Sequence, residues 1–266
     1  MAIQIQKQRS APINPQEIDR SISKMEQCLN QSDFLQLYLE QLSFLEAVGV
    51  FARKTKSVFN LFSGIDLFPA HYAKVMHSLD NRLFQEQIPE VLATLRNIVS
   101  MELLEPPDPF PLAANLNREK SIVHESSDAV INGLPDKWIN SMHPGDVLFC
   151  KQLVQYGETF NGPECNSSFI ENLVKTVPRG VVVVVIENIV DRATTQSSSL
   201  VSVSLNSRLQ ENSDYCDFLT SRLSEPQQKR LAAINDMITF KALTTYVDST
   251  RFQLMLAGKL SVFTKN

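Results

Sequence analysis

Apolar residues recur at helical spacing through residues 14–104 and then give way to short continuous apolar runs. The first helix is signposted by Asn14 as cap, Pro15 at the first helical position and Glu17 three residues after the cap. Ile18, Ile22, Met25 and Leu29 then share one face. A second capping pair, Ser32-Asp33, restarts the pattern, and Phe34, Leu35, Leu39, Leu42, Leu45 and Val48 carry it on. This predicts a helix to about Phe62, bent at Gly49 and stopped by Ser63-Gly64. Two further helices are expected from Pro69 to Phe84 and from Pro89 to Leu104. Short connections make an antiparallel helical bundle over 14–105 the expected arrangement.

The run from Glu105 to Pro111 cannot be helical, because its prolines remove donors and restrict the residues before them. It opens a Pro-rich linker, 106–128, ahead of a mixed α/β domain, 129–266. There a short helix (134–142) and the turn His143-Pro144-Gly145-Asp146 lead into a strand, 147–154. A capped helix follows, from 167 or 168 to about 176. Val181–Ile186 is a run of β-branched residues too apolar for a surface strand, so it belongs in the middle of a sheet covered on both faces. Alternation over 200–205 predicts a strand with one wet face. Helices are expected at 214–223 and 226–247, and a final strand at 259–264. The fold class is therefore α+β: an N-terminal helical bundle followed by a mixed α/β part with a small sheet centred on 181–186. Residues 1–13 are polar and glutamine-rich, a flexible tail also compatible with the export signal of a bacterial secreted effector.

Composition narrows the chemistry. A net charge of −4 gives no broad attraction to nucleic acid, and nucleic acid is not an expected partner. With 8 glycines in 266 residues, no loop gathers enough of them to cradle phosphates. The nearest approach, Gly157 to Gly162, has P-loop spacing but continues Pro163-Glu164 where a phosphate-binding lysine would stand. That argues against the classical nucleotide folds, and no cofactor is expected. Four cysteines without a C-x-x-C pair suit a reducing compartment and offer no metal site. No apolar segment reaches signal-peptide or membrane-span length, so the expected location is cytoplasmic, or secreted without a classical signal peptide.

Two constellations carry possible chemistry. Cys165 precedes a helix whose N-terminus would favour its thiolate, and His143 and Asp146 supply the base and orienting carboxylate of a cysteine hydrolase or acyl-transfer enzyme. Arg53, Lys54 and Lys56 beside Phe59 and Phe62 form a basic-aromatic helix end that could meet a partner's groove or an anionic membrane. Nothing in the sequence demands catalysis. The favoured expectation is a protein-interaction protein whose partner is another protein, with the cysteine enzyme and a peripheral membrane protein as alternatives and the membrane less favoured.

Overall fold

The computed structural model describes residues 13–51, 57–61, 134, 136–156, 167–191, 204–244 and 257–266. Two helices lead: α1 (Pro15–Gln31) and α2 (Phe34–Ala47). Asn14 caps α1 by accepting from the Gln16 amide at 3.1 Å, and Asp33 caps α2 by accepting from the Gln36 amide at 3.0 Å. Ser32 closes α1 in the left-handed region, φ 56°. Then come β1 (Val58–Leu61), α3 (Asp136–Ser141), β2 (Val147–Tyr156), α4 (Ser167–Thr176) and β3 (Val182–Asp191). The chain finishes with α5 (Leu205–Glu211), β4 (Tyr215–Asp217), α6 (Glu225–Thr244) and β5 (Lys259–Lys265).

The strands form one mixed five-stranded sheet in the order β1-β2-β3-β5-β4. β1, β2 and β3 run parallel, with Val58 beside Val147 and Val147 beside Val182. β5 runs against both β3 and β4, with Lys259 opposite Glu187 and Lys265 opposite Tyr215. The valine run thus occupies the central strand, as its unbroken apolarity requires. Val182, Val184 and Ile186 turn toward α1, α2 and α6, where Ile22, Tyr38, Leu42, Leu231, Ile234 and Ile238 complete one core. Val183 and Val185 turn to the other face and meet Leu173, Leu205 and Leu209 of α4 and α5. The fold is α+β, with N-terminal helices and a helix-covered mixed sheet.

Several expected elements differ. The predicted helix to Phe62 ends at Ala47, and Val58–Leu61 is a strand upstream of the prolines. A strand seated against β2 satisfies its backbone through the ladder and its side chains through the sheet, which outweighs a helical period that fades past Val48. The helices of the first part do not pack only on one another: α1 and α2 share a core with β2, β3 and β5. Leu205 opens a helix instead of closing a strand, because Ser204 caps it by accepting from the Ser207 amide. The helix expected at 214–223 is the short edge strand β4 followed by turns. The helices expected at 69–84 and 89–104, the linker 106–128 and residues 1–12 of the tail lie outside the described residues.

Three side-chain devices tie the layers together. Gln227 reaches back to the Ser224 amide at 2.9 Å, a capping box for α6, and its Nε2 donates to Asp19 of α1 at 3.1 Å. Arg230 of α6 grips Glu26 of α1 through two contacts, 2.8 and 2.6 Å. Asn235 donates to the Leu260 carbonyl at 3.0 Å and accepts from its amide at 2.9 Å, where β4 is too short to pair with β5.

Two stability outcomes follow. At Gly180 the φ is +78° and a Cβ would lie 2.8 Å from the Pro144 Cβ, so Gly180→Ala should cost about 2–4 kcal/mol, read as a lower urea midpoint at unchanged slope. The Arg230 guanidinium holds the Glu26 carboxyl below its usual range. The clamp therefore contributes fully above the unfolded carboxylate pKa of about 4.3 and is lost as pH falls through the lower folded value. Both groups are partly exposed, so Arg230→Ala should flatten the acid limb of the stability curve by less than about 1 kcal/mol.

Candidate functional site

The two ends of the parallel strands are built differently. At the amino edge the turn before β2 is tight and held by a set of matched hydrogen bonds. The Asp146 carboxylate is fully buried and accepts from the Ser57 amide at 3.1 Å and the His143 amide at 2.8 Å, joining the start of β1 to the turn before β2. Its backbone carbonyl accepts from Val182, Gly145 donates to the Gly180 carbonyl, and Gly180 donates to Lys265. Lys265 in turn donates to the carbonyls of Val174 and Lys175 at 3.3 and 2.8 Å, closing the carboxyl end of α4 with a cation that also suits the helix dipole. Partial burial lowers the Lys265 pKa.

His143 stands on this edge with its side chain 59% exposed. Its Nδ1 lies 2.7 Å from the Ser141 carbonyl, an atom that only accepts, so Nδ1 carries the proton. Asp146 Oδ2 is 3.9 Å from that nitrogen, too far for a hydrogen bond, and the carboxylate is taken up by main-chain amides. The structure thus brings His143 and Asp146 together through the turn's backbone, not as an oriented imidazole–carboxylate pair. Cys165 lies outside the described residues. Of the three cysteines that are described, Cys216 is exposed on β4, and Cys150 is wholly buried in β2 with its thiol pushed far up by burial. Cys28 is pushed up to about 11 by burial and by the negative charges of Glu40 and Asp33. Neither buried thiol offers a thiolate.

Of the basic-aromatic group, Arg53, Lys54, Lys56 and Phe62 lie outside the described residues. Phe59 sits on β1, half-buried, its ring tilted against Trp138 of α3 with centroids 5.5 Å apart. An open cleft of about 470 Å³ lies between α4 and α5, lined by Glu171, Lys175, Arg208 and Glu211 among others. Among the described residues no group of three or more His, Cys, Asp or Glu could hold a metal ion, and no helix is long and apolar enough to cross a membrane.

The carboxyl edge is the more suggestive one. β1 ends at Leu61, level with Cys150 and Val185, and β5 begins at Lys259, level with Glu187. Glu187 therefore marks a rim where β1 has stopped and beyond which only β2 and β3 continue among the described strands. It is 7% exposed and on the face covered by α5, where the Ser204 hydroxyl at the cap of α5 donates to it. Ser204 also accepts from Ser207, which commits its proton to Glu187. Behind the rim, Gly258 allows close contact: a Cβ there would lie 2.5 Å from the Glu187 carbonyl oxygen. Gln41 of α2 donates to the Gly258 carbonyl at 2.7 Å and so ties the first-face helices to this point. Leu61, Tyr156 and Asp191, the last residues of β1, β2 and β3, all lie toward this edge, and Lys259 opens β5 there.

Glu187, Ser204 and Gly258 were not singled out by sequence reasoning. The available signal was a lone carboxylate directly ending the valine run, where a central strand normally continues apolar. Comparisons with protein-family models, curated proteins and solved structures find no match to the chain.

Asp146→Ala should leave two main-chain amides without their acceptor and cost about 1–3 kcal/mol in chemical denaturation, whereas His143→Ala should cost less than about 1 kcal/mol. Equal losses would show that the imidazole, not the carboxylate, holds the turn.

Proposed function

We propose that the chain is a group-transfer enzyme that binds a phosphate-free nucleoside cofactor, S-adenosylmethionine, at the carboxyl edge of its sheet. The observation that carries this is the strand order and polarity. Three parallel strands are covered by helices on both faces, and their carboxyl ends share one edge with the start of a reversed last strand. Open α/β sheets of this construction take their ligands in the crevice outside the carboxyl ends of the strands.

Glycine scarcity, which argued against the classical nucleotide folds, bears on phosphate alone. A dinucleotide or nucleoside triphosphate needs a glycine-lined backbone cradle, while a nucleoside bearing a sulfonium has no phosphate to hold. The second kind of ligand is the one this reading favours. The rim carries the carboxylate of Glu187, which would repel a phosphate and suits a cation, and the net charge of −4 acts in the same sense. When bound, S-adenosylmethionine supplies a methyl group activated by the adjacent positive sulfur. The chain's part is to position that group and keep water from it, with β2 and β3 forming the floor.

An interaction role draws no support from the described helices of the first part. The apolar residues of α1 and α2 are spent on the core, and the large apolar residues left exposed among the described ones are Ile13, Met237 and Phe240.

Thermal denaturation tests the proposal. S-adenosylmethionine at about a hundred times its Kd should stabilise the protein by about 2.7 kcal/mol, a rise of roughly 5–10 °C in Tm. No shift at millimolar S-adenosylmethionine, or a shift with NAD or ATP instead, would refute it.

A further inference from the structure

We draw no further inference here: the strongest candidate, the open cleft of about 470 Å³ between α4 and α5, is lined by exposed side chains of both charges, Glu171 and Glu211 with Lys175 and Arg208, and nothing in the structure shows what covers it.

Discussion

The need to cover β3 on both faces organises this molecule. A strand of consecutive β-branched residues has no wet side, so each face must find an apolar layer of its own. The first face takes α1, α2 and α6, and the second takes α4 and α5. Burying every side of the central strand also removes it from consideration as a site. Polar chemistry is pushed to the ends of the strands, where backbone and side chains leave the sandwich. The two ends then diverge among the described residues, one pinned by the turn before β2 and the amides around it and one where β1, β2 and β3 end and β5 begins.

Buried charge separates the two ends further. At the amino edge Asp146 is a structural pin, because its charge is met by amides that would otherwise lack partners. Glu40 is a local matter of α1 and α2, held by a lysine and a glutamine. Glu187 accepts from the Ser204 hydroxyl, whereas the second oxygen of Glu40 is buried without a hydrogen-bond partner. Carboxylates identical in sequence thus acquire different roles from the number and kind of donors around them.

Much of the fold was legible before the coordinates. The capped starts of α1 and α2, the span of α4, the strand after the His143–Asp146 turn, the central valine run and the final strand were all read from local signals strong enough to survive tertiary context. β1 was not, because Val58, Phe59 and Leu61 continue an apolar run that began as a helix, and four residues do not establish a period of two. The strand expected over 200–205 has given way to a helix by Leu205, where the decisive fact was that Ser204 could cap, and 200–203 lie outside the described residues. The site was less legible still. His143 and Asp146 have the residue types of a catalytic pair, and the bonds that make Asp146 a pin go to backbone amides, which sequence does not display. Glu187 becomes notable only once register shows which residues stand level with the end of β1.

The amide of Asn235 shapes how this protein behaves toward its own kind. β4 covers only one end of β5, which leaves main-chain groups at Leu260 on the uncovered side. By occupying both the donor and the acceptor of that residue, one side chain from α6 ends the ladder at that point. An open ladder there would be a template onto which a strand from a neighbouring molecule could grow, the first step toward fibres. The side-chain clip closes that template without lengthening the sheet, so at Leu260 a side chain, and not a further strand, stands against growth by a neighbouring molecule.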